Sequence, residues 1–232
     1  MKYFITVIVI IVLYVIYVFS PKAQPMTINS QAISYLPLGD SYTIGEGLPE
    51  TDRWPNQLAS HLNRDGIEVI IVANPARTGF TTQQLIDYEL PLVQQYKPQV
   101  VTLQIGVNDW VQGVSKEDFQ ANIKLILDNL QNTLADRNAI VIVTIPDFSA
   151  SPTGAQYGSG RDISAGIAEF NAVLLDEATA RGLPIADVYP VSQQMKVDPS
   201  LIHTDGLHPS AKQYALWEAI IYPKILPILN KP

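Results

Sequence analysis

Short apolar runs alternate along the chain with longer segments in which apolar residues recur every three or four positions. The runs have the length and the continuous apolar character of strands that are buried on both faces of a sheet. Five such runs are ISYLPL (33–38), IEVIIVA (67–73), QVVTLQIG (99–106), AIVIVTI (139–145) and LPIADV (183–188). The alternation predicts a parallel sheet whose strands are joined by right-handed crossovers and covered by helices on both faces.

The segments between these runs carry helical periodicity and recognisable ends. Helices are expected over 52–66 with a cap at Asp52, over 116–135, over 161–181, and from Pro209 onward. Between 82 and 97 the pattern is interrupted by Pro91, which predicts a kink or two shorter helices there. Together with the strands, these helices indicate a single domain of the α/β class, over residues 32–232.

The beginning of the chain does not follow this alternation. Residues 3–19 form an apolar run after Lys2, and as a helix they would span about 26 Å, slightly less than a hydrocarbon core of about 30 Å. Small residues suited to signal cleavage are poorly placed around Pro21, so an uncleaved membrane anchor is favoured over a cleaved signal and secretion. Residues 20–31 are polar and predict a tether, which would leave the remaining chain outside the cytoplasm.

The composition of the chain limits the classes of partner and cofactor that it can bind. The formal net charge is −7 and no run of Lys or Arg occurs, which argues against nucleic acid or an anionic membrane surface as a partner. The chain contains no Cys, and this excludes disulfides, Cys-bound zinc and iron–sulfur clusters. The motifs require no cofactor and no metal.

Residues that can do chemistry follow the first three strands. Ser41 comes directly after the first strand in GDSYTIGEG, Gly79 follows the second in ANPARTGFTT, and Asn108 follows the third in QIGVNDW. Since ligands bind at the carboxyl ends of parallel strands, a hydroxyl, a backbone N–H and a side-chain amide are expected at one rim. Asp40 and Gly106 lie beside them as supporting residues. Taken alone, each of these residues also suits a tight turn.

A serine hydroxyl needs a base to become a nucleophile, and the chain offers three histidines. His61 falls within a helical pattern and is expected at the surface, while His203 is expected in a loop. His208 stands just before the last helix, with Asp205 three residues earlier in a turn that contains glycine. The carboxylate can therefore fold back toward the imidazole. Without Ser41, the same pair would indicate only a turn with a helix cap.

The blocks GDSYTIGEG, NPARTGFTT, GVND and DGLHPS, in this order, resemble the four conserved blocks of the SGNH hydrolases, also called the GDSL esterase/lipase family. The resemblance extends from the first strand to the last helix. It implies a three-layer α/β/α sandwich with a flavodoxin-like, five-stranded parallel sheet. It also implies Ser41 as nucleophile, His208 as base and Asp205 as the residue that orients the base. The oxyanion hole would be formed by the N–H groups of Ser41 and Gly79 and the side chain of Asn108.

The chain departs from the family pattern at two positions. Tyr42 stands where the family name has leucine, and Ala76 stands where many members have glycine. Neither change removes a catalytic group. Tyr42 is expected to alter the pocket wall, which bears on lipid specificity more than on activity.

The expected function is that of a membrane-tethered serine esterase that hydrolyses a carboxylic ester through an acyl-enzyme. A carbohydrate O-deacetylase acting on envelope polysaccharide is an alternative with the same residues, so the substrate is a small ester or an acylated sugar or lipid. A non-catalytic ligand-binding domain on the same fold would be expected to lose part of the Ser, Asn, Asp and His set. A metal-dependent hydrolase using Asp40, Asp205 and His208 has too few ligands. Residues 146–160 and 189–203 are expected to wall the pocket.

Overall fold

The computed structural model describes residues 32–230, which form a five-stranded parallel sheet in the order β2-β1-β3-β4-β5. The strands are β1 (Ile33–Gly39), β2 (Val69–Ile71), β3 (Val100–Gln104), β4 (Ile140–Val143) and β5 (Ile185–Ala186). The predicted fold class is confirmed, because every strand pair is parallel. The chain passes from β1 outward to β2 and then returns past β1 to β3, so the strand order reverses between β1 and β3. Ligands bind at such switch points in open α/β sheets.

Helices cover the sheet on both faces. They are α1 (Ser41–Ile44), α2 (Trp54–Arg64), α3 (Thr82–Gln84), α4 (Leu90–Tyr96), α5 (Val107–Gln112), α6 (Lys116–Thr133), α7 (Ile163–Arg181), α8 (Tyr189–Ser192) and α9 (Ala211–Leu229). A π-helical turn, Leu85–Glu89, joins α3 to α4. Helices α2 and α9 pack together on one face, while α6 packs between α4 and α7 on the other. This division follows from right-handed crossovers, since the chain moves in opposite directions across the sheet on its way to β2 and to β3.

Two helix starts differ from those predicted. Helix α2 is preceded by Arg53 rather than by a cap at Asp52, which lies in a 3-10 turn. Helix α9 starts after Pro209 because the hydroxyl of Ser210 caps it. The predicted interruption between 82 and 97 is present, since two short helices, α3 and α4, occupy this segment. Pro91 itself lies in the first turn of α4, where a missing N–H leaves no intrahelical bond unmade. The interruption comes before it, at the π turn.

The core lies on both faces of the central strands. Every residue of β3 and β4 is buried, as expected for strands between two helical layers. The largest fully buried side chains are Trp54, Trp217, Tyr35, Tyr214, Phe119 and Phe148. Four of the five strands are shorter than the apolar runs that predicted them, whereas β1 continues one residue further, to Gly39.

Among the helices within residues 32–230, none has both the length and the apolar character that a membrane crossing requires. The predicted anchor, residues 3–19, and the predicted tether, residues 20–31, lie outside the described residues.

Candidate active site

A pocket of about 240 Å³ lies at the carboxyl ends of β1 and β3. It is lined by Ser41, Tyr42, Thr78, Gly79, Val107, Asn108, Val111, Phe148, Tyr157, Leu207 and His208. The structure therefore brings together four residues that the sequence placed on four separate segments: Ser41, Gly79, Asn108 and His208. Asp205 does not line the pocket but is hydrogen-bonded to His208. Asp40 and Gly106 are adjacent in sequence to lining residues and do not line the pocket themselves.

The turn from β1 into α1 holds Ser41 at the first position of the helix. Asp40 caps this helix, because its Oδ1 accepts the N–H of Tyr42 at 3.0 Å. Gly39 must lack a side chain, since a Cβ there would overlap the carbonyl oxygen of Gln104 on the neighbouring strand. Sheet packing on one side and helix capping on the other thus fix the turn, and Ser41 is only 6% exposed.

Asp205 and His208 form a charge-assisted pair. One oxygen of Asp205, Oδ2, accepts a hydrogen bond from His208 Nδ1 at 2.7 Å. The other accepts the backbone N–H groups of Leu207 at 2.8 Å and His208 at 3.0 Å. Burial opposes the charge of Asp205, but these hydrogen bonds outweigh it and lower the pKa of the carboxyl to about 2. An Nδ1–H held by a carboxylate leaves Nε2 of the imidazole as a proton acceptor.

Tyr42 supports the imidazole from the side. Its ring meets the ring of His208 edge-on, with the centroids 5.7 Å apart, and also packs against Trp217 at 5.9 Å. The residue that replaces leucine in the family pattern therefore contacts His208 in addition to forming part of the pocket wall.

The hydroxyl of Ser41 and the ring of His208 line the same pocket. No direct hydrogen bond joins them in the part of the chain that the structure describes. Hydrogen bonds between a nucleophile and its base are often long before substrate binds and shorten in the complex. The two groups are thus positioned around one space that a substrate carbonyl can enter.

Three N–H donors adjoin this space. Asn108 Nδ2 donates one hydrogen to the carbonyl oxygen of Phe80 at 2.9 Å, which fixes the amide and leaves its second hydrogen. Gly79 has a φ of +84°, a conformation that glycine adopts without strain. Within residues 32–230, the backbone N–H groups of Ser41 and Gly79 donate to no other group. Because Phe80 follows Gly79, the bond from Asn108 also holds the turn that carries the Gly79 N–H.

Buried carboxyl groups adjoin the turn that carries Ser41. The pKa of Asp40 is raised to about 8, mainly by burial and also by the nearby Asp109, while the hydrogen bond from the Tyr42 N–H opposes the shift. Burial also raises the pKa of Asp109, although Thr82 donates both its N–H, at 2.9 Å, and its hydroxyl to this carboxylate. Burial thus favours the neutral form of both carboxyl groups over the charged form.

The walls of the pocket are largely apolar, and the sequence motifs did not identify their residues individually. Val107 and Val111 lie four residues apart on α5, and Leu207 precedes the histidine. Phe148 and Tyr157 come from the 3-10 turns Phe148–Ala150 and Gly154–Gly158, within the predicted wall segment 146–160. No residue of the other predicted segment, 189–203, lines the pocket.

Asp147 holds the pocket wall formed by residues 146–160 in place through hydrogen bonds. Its carboxylate accepts hydrogen bonds from Ser149 Oγ at 2.6 Å, Ser164 Oγ at 2.8 Å and Gln193 Nε2 at 3.1 Å, and Lys196 Nζ lies 3.5 Å away. Burial opposes ionisation of this fully buried group, but these hydrogen bonds and the lysine charge outweigh it and lower its pKa. The wall therefore rests on a charged carboxylate whose partners come from three separate segments.

The other histidines lie outside this arrangement or at its edge. His61 stacks on Tyr222 at 4.0 Å and its Nδ1 lies 2.8 Å from Glu218. His203 Nδ1 is 3.4 Å from Asp205. Among residues 32–230, no group of three or more His, Asp or Glu side chains is arranged to hold a metal ion.

Comparison with known proteins identifies relatives of this chain. The model of the GDSL-like lipase/acylhydrolase family matches residues 38–216. A multidomain esterase of Ruminococcus flavefaciens is 26% identical over 236 residues, which cover 84% of this chain and 28% of that protein. An arylesterase of Vibrio mimicus is 25% identical over 174 residues, covering 75% of this chain and 78% of that protein. The chain thus spans about a quarter of the first relative and about three quarters of the second.

Solved structures share the fold. A lipase/acylhydrolase from Enterococcus faecalis superposes with a TM-score of 0.66 at 23% identity, covering 83% of this chain and 95% of that one. The family 3 carbohydrate esterase of Clostridium thermocellum superposes with a TM-score of 0.64 at 20% identity, covering 85% and 97%.

Proposed function

The chain belongs to the GDSL-like lipase/acylhydrolase family, and on this premise we propose that it is a carboxylic ester hydrolase that works through a Ser41–His208–Asp205 triad. The observation that carries the proposal is the Asp205–His208 hydrogen bond of 2.7 Å behind a pocket that Ser41 also lines. A tautomer held in this way is what a general base for a serine hydroxyl requires.

The geometry supports a two-step reaction. The Ser41 oxygen attacks the ester carbonyl carbon while its proton passes to His208 Nε2, and the carbonyl oxygen becomes negative. The N–H groups of Ser41 and Gly79 and the amide of Asn108 stabilise that charge. The alcohol then leaves with the proton from His208. Water, activated by the same imidazole, hydrolyses the acyl-enzyme and restores the serine hydroxyl.

The acyl group is expected to be short. The pocket beside Ser41 is small and largely apolar, with Phe148 and Val111 among its walls, so acetyl to butyryl groups fit it better than a long chain. With p-nitrophenyl esters of increasing acyl length, kcat/KM should be highest for short chains and fall toward decanoyl. A maximum at decanoyl would contradict this assignment.

Deacetylation of sugars is the second candidate, because a pocket of this size also accepts the acetyl group of an acetylated sugar. The same triad and N–H donors would serve both reactions, so the two functions differ in the alcohol part of the ester that the enzyme prefers. In a parallel screen, acetate release from acetylated oligosaccharides would favour the deacetylase if its kcat/KM exceeded that for p-nitrophenyl acetate. A preference for the aryl ester would favour a simple esterase.

We also propose that residues 3–19 anchor the enzyme in a membrane with its catalytic domain outside the cytoplasm. The proposal rests on the apolar character of this segment behind Lys2, which only Thr6 interrupts. When the full chain is expressed in bacteria, it should stay in the membrane fraction after an alkaline wash and be cut by protease added to intact spheroplasts. A shortened form in the medium would indicate signal cleavage, and a protected form in the cytoplasm would contradict the proposal.

A further inference from the structure

Glu89 is an acidic residue buried in the core close to the turn that carries Ser41. Its exposed fraction is 0%, and its neighbours on the same helical segment, Leu85, Leu90 and Val93, are buried apolar residues. A carboxyl in such a position costs stability unless its polar atoms have partners. A specific role for the carboxyl would account for its position.

The only hydrogen bond of the Glu89 side chain within residues 32–230 links it to β1. Its Oε2 accepts the backbone N–H of Gly39 at 2.9 Å. Gly39 is followed by Asp40, which caps α1, and then by Ser41. The carboxyl therefore holds the backbone two residues before the serine.

The sheet explains why a side chain is needed there. Strand β2 ends at Ile71, which pairs with Tyr35, so residues 36–39 of β1 have a strand partner only on the β3 side. Pro37 has no N–H to satisfy, but the N–H of Gly39 is buried and needs an acceptor. Glu89 provides the oxygen that a longer β2 would otherwise have provided.

The π turn is the local feature that delivers this carboxyl. Leu85–Glu89 is wider than a regular α-helical turn and ends at Glu89 itself, and such turns are frequent at functional sites. Burial raises the pKa of Glu89 well above its usual range; the Gly39 hydrogen bond and Arg77 oppose this, while Asp40 adds to it. Oε2 accepts the Gly39 N–H, while Oε1 has no partner within residues 32–230.

We propose that Glu89 is a positioning residue that sets the Gly39–Asp40–Ser41 turn, and with it the nucleophile and the Ser41 N–H of the oxyanion hole. The inference rests on the proposed role of Ser41. Loss of a residue that only stabilises the fold would leave kcat of the folded enzyme unchanged. A small displacement of the nucleophile, in contrast, lowers the rate of the chemical step more than it weakens substrate binding.

The test compares Glu89→Gln with Glu89→Leu in the full chain, using p-nitrophenyl acetate. Glutamine keeps a side-chain oxygen that can accept the Gly39 N–H, so kcat should stay within about threefold of the wild type. Leucine removes the acceptor, so kcat should fall by about ten- to a hundredfold with KM nearly unchanged. If Glu89→Leu does not fold, Glu89→Ala replaces it in the comparison.

Glu177→Leu is the matched control. Glu177 is also a buried glutamate, but it pairs with Lys124 and Arg181 and does not line the pocket. This substitution should lower the melting temperature and leave kcat unchanged. Equal losses of kcat in Glu89→Leu and Glu177→Leu would reduce Glu89 to a stabilising residue and overturn the proposal.

Labelling with a fluorophosphonate separates the two possible failures. The wild type should be labelled at Ser41, and Glu89→Leu should be labelled more slowly in proportion to its loss of kcat. If the wild type is not labelled at Ser41, the proposed catalytic function fails. If Glu89→Leu is folded and labelled as fast as the wild type, or if Glu89→Gln loses as much activity as Glu89→Leu, only the role of Glu89 fails.

Discussion

Ser41→Ala should lower kcat for p-nitrophenyl acetate by about ten thousand- to a millionfold, because the proposed acyl-enzyme forms on the Ser41 oxygen. Stability should hardly change, since the Ser41 hydroxyl has no hydrogen-bond partner within residues 32–230. The measurement is p-nitrophenol release in steady state, alongside thermal unfolding followed by circular dichroism. A folded Ser41→Ala protein with wild-type activity would contradict the assignment of the nucleophile.

Asn108→Ala is the graded control for this experiment. It removes one of the three oxyanion donors and leaves the nucleophile and base in place, so kcat should fall by about a hundred- to a thousandfold. Comparing the loss of kcat in Ser41→Ala with that in Asn108→Ala tests whether Ser41 is the nucleophile and Asn108 an oxyanion donor. A larger loss in Asn108→Ala than in Ser41→Ala could not be reconciled with covalent catalysis by Ser41.

Asp205→Asn should lower kcat by about ten thousandfold while leaving the shape of the pocket intact. The amide can donate a hydrogen to His208 Nδ1, which would move the ring proton to Nε2 and remove the acceptor that faces the pocket. Because the pKa of Asp205 is lowered to about 2, the wild-type carboxylate stays charged across the pH range of the assay. The loss should therefore persist from pH 5 to pH 8.

Asp198→Asn is the matched control for Asp205→Asn. Its carboxyl also has a pKa lowered to about 2, by hydrogen bonds from Lys212 and Ser200, and it caps a neighbouring 3-10 turn, Pro199–Leu201. It does not line the pocket, so kcat should be unchanged. Full activity in a folded Asp205→Asn protein would show that another group orients His208.

Local sequence was sufficient to predict the parts of this fold that short-range rules control. A parallel sheet covered by helices follows from alternating strands and helices, and the Asp205–His208 contact spans only three residues in a turn. The helix starts at α2 and α9 were displaced by a few residues because capping competes among adjacent polar side chains. The N-terminal segment remains a prediction, since it lies outside the described residues.

Features that depend on distant partners could not be predicted in this way. Glu89 lies fifty residues from the N–H that it accepts, and nothing in its neighbourhood along the chain indicates that β2 ends too early to supply that acceptor. The partners of Asp147 likewise come from α7 and from the 3-10 turn Gln193–Lys196. The packing of Tyr42 on His208 could be recognised only once the fold was known.

The carboxylate of Asp147 has a consequence for how this enzyme can diversify. Because it binds Ser149, Ser164 and Gln193 independently of the triad, the stretch that carries Phe148 and Tyr157 is attached at a point of its own. Thr153 in this stretch also donates to the carbonyl oxygens of Asp205 and Gly206, so a change of length there would reach the turn that holds His208. Exchanging the side chains at Phe148 and Tyr157 is therefore the way to alter the accepted acyl groups without disturbing that turn.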